Sequence, residues 1–200
     1  KIPSGEITNI PYLKKIAALN KKIILSTGMA DLKEIKKAIE ILTGYGTNKK
    51  NIIVLHCSTE YPASSKNLNL LSINYLKKKL KIETGYSDHS LGLQASFIAV
   101  ALGAKVIEKH FTLSKKLSGP DHKASLLPDE LNDLIKGVRF VEKILGSSKK
   151  KPYKGELINL KYVRKYIVAK NYIYKGQKFS EENITTKRSK IGVPAAEWDR

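Results

Sequence analysis

Four histidines occur in the 200 residues, and two of them, His89 and His110, close short runs of strand-forming residues, GYSDHS (85–90) and VIEKHF (106–111), with one helical stretch between. In sequential parallel strands, neighbouring ends lie about 5 Å apart, so the two imidazoles can meet one divalent ion. Imidazole suits several such metals, and a site with two protein ligands keeps positions open for water and substrate oxygens. The spacing matches no local metal motif, and satisfied or exposed histidines are the competing reading. Lys1, Ser4, Ser26 and Ser87 add an ammonium and small hydroxyls at strand ends, the chemistry of phosphate binding. Serines there also cap following helices, the better reading of any one alone, although four in register are less easily dismissed. Glu6, directly after Ser-Gly, stands where a general base or hydroxyl-orienting group acts, a surface glutamate being the alternative. In SGPDHKASL (118–126) a Pro-Asp turn presents Asp121 to a polyol, and the adjacent His122 is expected in solvent.

Such a rim needs parallel strands beneath it. KIIL (22–25), IIVLH (52–56), IETGY (82–86) and AKVIEKH (104–110) are short, β-branched and bounded by turn residues, the pattern of buried strands. Between and after them lie helical patterns. Residues 31–43 open with Asp31 and Glu34 as a capping box and place Leu32, Ile35, Ala38, Ile39 and Leu42 on one face. Asn9 and Pro11 start a helix over 9–19, and Pro128 starts one over 128–145 that ends at Gly146. Alternating strands and helices specify right-handed βαβ units.

Two architectures compete, an open doubly wound sheet and a closed eight-stranded barrel. KIPSGE supplies one further strand at the start. Polar residues follow every strand rather than one switch point, which is the habit of a barrel rim. The expected fold class is therefore α/β: the C-terminal five strands of a (β/α)8 TIM barrel over residues 1–146, with the first three strands absent from this chain. Residues 147–161, lysine-rich and carrying Pro152, read as a linker. Residues 162–200 alternate β-formers with glycine turns and read as the start of a small β-rich module.

Composition narrows the function classes. The hydrophobic content of 42% suits a globular chain, and no apolar run approaches a membrane span. The start has neither an initiator Met nor a signal-peptide core, so the chain reads as cut from something longer. A formal charge of +19 invites nucleic acid. The excess lysines, however, come as pairs and triplets on helix faces and loops, without the aromatic interleaving of an RNA-binding pattern, and no nucleic-acid partner is expected. Attraction of small anions is. The single cysteine, Cys57, lies in an apolar run, as a buried thiol of a reducing, cytoplasmic compartment would.

KIPSGEITN, IILSTGM, LHCSTEYP, GYSDHSLG, ALGAKVIEKHFTL and GPDHKASL together resemble, in order and spacing, the strand-end motifs of the bacterial sialic acid synthases. The resemblance runs from Lys1 to about Leu145 and continues into a tail similar to the antifreeze-like (SAF, β-clip) domain of those enzymes. It implies condensation of phosphoenolpyruvate with an open-chain N-acetylhexosamine, N-acetylmannosamine first, giving a nine-carbon α-keto acid and phosphate. N,N'-diacetyllegionaminate synthesis from a diacetylated 6-deoxy sugar is the alternative, and a carbohydrate- or ice-binding module without catalysis is the non-enzymatic one. By motif match, His89 and His110 would hold Mn²⁺, with Mg²⁺ or Co²⁺ possible. Lys1, Ser4, Ser26 and Ser87 would bind phosphoenolpyruvate, with Thr59 where some members place an asparagine near the phosphate. Glu6, Tyr61 and Asp121 would face the sugar or the reacting water. Arg188 matches an arginine that reaches the sugar across a domain-swapped homodimer.

Overall fold

The computed structural model describes residues 1–199 and divides into two compact units, Lys1–Gly146 and Ser147–Arg200. Residue 200, the end of the expected β-rich module, lies outside the described residues. The first unit is a partial α/β barrel. Its strands β1 (Ile23–Ser26), β2 (Ile52–Cys57), β3 (Glu83–Asp88) and β4 (Ile107–Lys109) pair in parallel in chain order. Helices α1 (Ile10–Ala18), α2 (Leu32–Gly44), α3 (Ser72–Leu80), α4 (Gln94–Ala101) and α5 (Pro128–Leu145) connect or follow them.

The expected fifth strand at KIPSGE is reduced to a single bridge, Ile2 to Leu25, followed by a 3-10 turn over Ser4–Glu6. Pro3 has no N–H to give a ladder, and the chain turns away at once. Even so, Ile2 donates to Ile24 O (2.8 Å) and accepts from Ser26 N (3.0 Å), so Lys1 is anchored beside β1. The expected helices all form. Asp31 and Glu34 make the capping box of α2 through bonds of 2.8 and 3.0 Å, and Asn9 caps α1. At α5, Pro128 takes the first turn while Glu130 accepts from Leu127 N–H.

Alternation along the strands sets the two faces. Ile23, Leu25, Ile52 and Val54 pack with Leu13, Ala17, Ile35, Ala38 and Leu42 in the layer between sheet and helices, and Tyr86 does so with Ile73, Ala95 and Ala99. The intervening residues Ser26, Leu55, Cys57, Gly85, Ser87 and Glu108 therefore point to the concave face. Gly85 is required there, since a Cβ would stand 2.5 Å from Val106 O and 2.6 Å from Leu55 Cδ2.

The second unit contains α6 (Lys154–Val163) and an antiparallel sheet of β5 (Lys165–Ala169), β6 (Ile184–Arg188) and β7 (Val193–Pro194), with β5 central. The stretch 147–161, expected as a linker, thus carries most of a helix. Glu156 Oε2 accepts from Tyr153 N–H (2.8 Å) and closes its first turn, directly after the chain leaves Pro152.

Candidate active site

The strand ends of the first unit form a cup. Its floor is Ser26, on β1, and its wall is Ser87 and Glu108, ladder partners on β3 and β4. Two residues further along, at the rim, stand His89 and His110, with ring centres 5.3 Å apart and planes inclined at 61°. Tyr61, in the loop after β2, lies against both, 4.1 Å from the His89 ring and edge-on to His110 at 5.5 Å. Burial pushes the Tyr61 phenol up, so it stays protonated at neutral pH.

His89 is oriented from behind. Its Nδ1 is held by Ser58 O, a carbonyl, which assigns the proton to Nδ1 and leaves Nε2 with its lone pair. Ser87 Oγ lies 3.4 Å from that Nε2, but its proton goes to Glu108 Oε1 at 2.7 Å. The Nε2 lone pair is thus not consumed by a strong donor. Burial lowers the pKa of His89, outweighing the Ser58 bond, so the ring is neutral at physiological pH. A neutral imidazole whose other nitrogen is tied to a carbonyl is the arrangement that metal-binding histidines show. Imidazole nitrogens bind divalent ions at roughly 2.1 Å, which sets two rings on one ion about 5 Å apart, centre to centre. The 5.3 Å separation of the ring centres matches that spacing. Among the described residues no set of three or more His, Cys, Asp or Glu gathers to hold a metal, so an ion here would take its other ligands from water or substrate. Asp121 Oδ2 is 3.9 Å from His110 Nδ1, a charge beside the second ring.

The anion-binding candidates come together in part. Lys1 reaches over the concave face to Glu108, Nζ to Oε1 2.9 Å. Burial works to raise the Glu108 pKa, but the bonds from Lys1 and Ser87 hold the carboxyl below its usual range. Ser26 Oγ is buried without a hydrogen-bond partner. Ser4 Oγ, Cys57 Sγ and Thr59 Cγ2 converge on Gly28, where an added Cβ would lie 3.3, 3.1 and 2.7 Å from them. Cys57 is the buried thiol expected, accepting from Gly28 N–H, and burial pushes its pKa up.

Glu6 Oε2 accepts from Asn9 Nδ2 at 2.6 Å, in the turn that starts α1. Arg188 is exposed on β6 in the second unit, opposite Lys165 in the ladder. His122 is not in open solvent as expected: it is half-buried, and its Nδ1 shares a bond of 2.7 Å with Thr112 Oγ1. Sequence reading missed Glu108, which organises Lys1 and Ser87. The signal was available in the period-2 rule, because Glu108 stands two residues before His110 and must face the same side. It also missed the buried pair Asp88 and Lys109 behind the histidines.

The model of the NeuB family matches residues 1–150. An N,N'-diacetyllegionaminic acid synthase from Campylobacter jejuni is 56% identical over 199 residues, covering 100% of this chain and 60% of that protein. Another from Legionella pneumophila is 42% identical, covering 98% and 56%. Among solved structures, the N-acetylneuraminic acid (sialic acid) synthetase of Leptospira borgpetersenii superposes with a TM-score of 0.73 at 38% identity, over 80% of this chain and 55% of that one. The chain therefore spans little more than half the length of these relatives. Among the described residues no helix is long and apolar enough to cross a membrane.

Proposed function

Because this chain belongs to the NeuB family, we propose that the complete protein condenses phosphoenolpyruvate with an N-acetylated aldose and water to give a nine-carbon α-keto acid and phosphate. The observation carrying the proposal is the adjacency, on one concave face, of an imidazole pair and an ammonium–hydroxyl set. Carbon 3 of the enol bonds to the aldehyde carbon, water oxygen adds to carbon 2, and the carbon 2–oxygen bond to phosphate then breaks. A divalent cation on His89 and His110, Mn²⁺ before Mg²⁺ or Co²⁺, supplies Lewis-acid polarisation of the aldehyde oxygen when bound.

The chain's own residues do the rest. Lys1, Ser26 and Ser87 present one positive charge and two hydroxyls to the phosphate or carboxylate, while Ser4 and Thr59 border the same space beside Gly28. Glu108 occupies Lys1 and Ser87 meanwhile and keeps the ammonium aimed inward. Tyr61 covers the imidazole pair and excludes water from one side. Asp121, beside His110, faces a sugar hydroxyl, and Glu6 orients the reacting water or a hydroxyl. In the second unit, read as the start of an antifreeze-like domain, Arg188 serves a partner's barrel in a domain-swapped homodimer. A cytoplasmic setting fits the reduced Cys57.

Of the two acceptors, the relatives favour the diacetylated 6-deoxy sugar over N-acetylmannosamine: both legionaminic acid synthases align over nearly the whole chain, one at 56% identity. The test is phosphate release from phosphoenolpyruvate by the complete gene product with Mn²⁺, offered each sugar in turn. Release only with an N-acetylated aldose, lost in His89→Ala and His110→Ala, is expected. Release without a sugar, or none with either, refutes the reading.

A further inference from the structure

Asp88 and Lys109 immediately precede the two histidines and are ladder partners in the pairing of β3 with β4. Alternation turns them away from the cup, into the layer under α4. Lys109 Nζ lies 3.0 Å from Asp88 Oδ2, with side chains 3% and 0% exposed, whereas the other Lys–Glu and Arg–Glu pairs seen among the described residues leave at least 35% of each partner in water. Asp88 is saturated. Its Oδ1 accepts from Ser90 N–H (2.9 Å) and Ser90 Oγ (2.6 Å), and its Oδ2 accepts also from Ser96 Oγ on α4 (2.6 Å). Lys109 Nζ donates in addition to Ser90 O at 2.6 Å. One carboxylate thus ties β3, the turn carrying His89 and helix α4 together, and one ammonium ties β4 to the first two.

A buried pair of this kind is weak as a source of stability, since two apolar residues of equal volume do as well or better. Its value lies in fixing geometry. The strand that carries His110 needs this most: β4 has three ladder residues. On the premise that the histidine pair binds a divalent cation, we propose that Asp88 and Lys109 are positioning residues: their ion pair sets the separation of His89 and His110, and with it the cation affinity of the cup.

The test is Mn²⁺ titration of the complete gene product, followed by electron paramagnetic resonance. Asp88→Asn/Lys109→Met removes both charges while nearly keeping volume. Outer partners of metal-binding histidines typically contribute 10- to 100-fold in affinity, and a loss of roughly that size is expected, with cooperative melting retained. A merely structural pair would change the melting temperature and leave the affinity of the folded protein alone, so a folded double variant with unchanged Mn²⁺ affinity overturns the proposal. If the double variant does not fold, Asp88→Asn alone, which nearly preserves the side-chain shape, takes the same measurement, and unchanged affinity there overturns the proposal equally. His110→Ala separates the two levels: if it keeps Mn²⁺, the cation reading itself fails.

Discussion

Ser26 and Thr84 each bury a hydroxyl oxygen that finds no hydrogen-bond partner within the protein. They lie on opposite faces of the sheet, Ser26 toward the cup and Thr84 toward the helix layer. A buried polar group left unsatisfied costs about 1–3 kcal/mol, so Ser26→Ala and Thr84→Val should each raise the stability of the ligand-free protein by about 1–2 kcal/mol, or roughly 2–8 °C in Tm for a domain of this size. Their responses to phosphoenolpyruvate should diverge. A hydrogen bond from Ser26 to an anionic oxygen is worth about 1.5–3 kcal/mol, and its loss weakens binding by roughly 10- to 150-fold. At 100 times the wild-type Kd, ligand stabilises the wild type by about 2.7 kcal/mol, but a variant weakened 100-fold by only about 0.4. The difference offsets the ligand-free gain, and the stability order of wild type and Ser26→Ala should converge or reverse. Thr84→Val should keep its advantage at every ligand concentration. Thermal scans with and without phosphoenolpyruvate, together with calorimetric titration, read both quantities. Ser26→Ala that melts lower than wild type without ligand, or that binds phosphoenolpyruvate unchanged, refutes the assignment; equal loss of affinity in Thr84→Val traces the effect to packing.

Two further outcomes follow from local geometry. Gly28→Ala would put a methyl carbon 2.7 Å from Thr59 Cγ2 and 3.3 Å from Ser4 Oγ, so at least a tenfold rise in the KM for phosphoenolpyruvate is expected, with far-ultraviolet circular dichroism unchanged; steady-state kinetics checks it. Burial lowers the pKa of His56 from its ordinary 6.5, against the bond of its Nε2 to Leu68 O at 2.7 Å. The unfolded chain therefore takes up the proton first, and the contribution of His56 to stability, complete above 6.5, is lost as pH falls through the folded value. Urea midpoints from pH 7.5 to 5 should fall more steeply for wild type than for His56→Gln, and parallel curves would contradict this.

Local signals located most of the elements because each had a physical cause visible in a few residues. Asp31 and Glu34 three apart, or Pro128 before an amphipathic run, specify a helix start without reference to the rest of the chain. The β-branched runs could be placed within a few residues for the same reason. Where the reading failed, a local signal pointed one way and chain geometry another. KIPSGE contains Pro3, which reduces a strand to a bridge, and the lysine-rich segment after Gly146 hides the first turn that Glu156 closes at Tyr153. Helix α4, QASFIAVA, is legible as the helical stretch between two strand ends, but it lacks a polar stripe, so its small-residue packing against Tyr86 has no local signal.

The site shows the same division. His89 and His110 were legible because both end a strand, and adjacent parallel strand ends must be close. What holds them was not, because it depends on register. A β4 offset by one residue against β3 would send Lys109 into the cup and Glu108 and His110 into the helix layer. The observed pairings of Ser87 with Glu108 and Asp88 with Lys109 make the assignment unique: a carboxylate that gathers Lys1 and Ser87 on the inner face, and a buried ion pair on the outer one. The sequence segments SDHS and EKHF are thus each a two-sided device. Under the proposed function, alternate residues meet the ligands or brace the strands that present them, and the histidines can then be no better placed than the pair behind them.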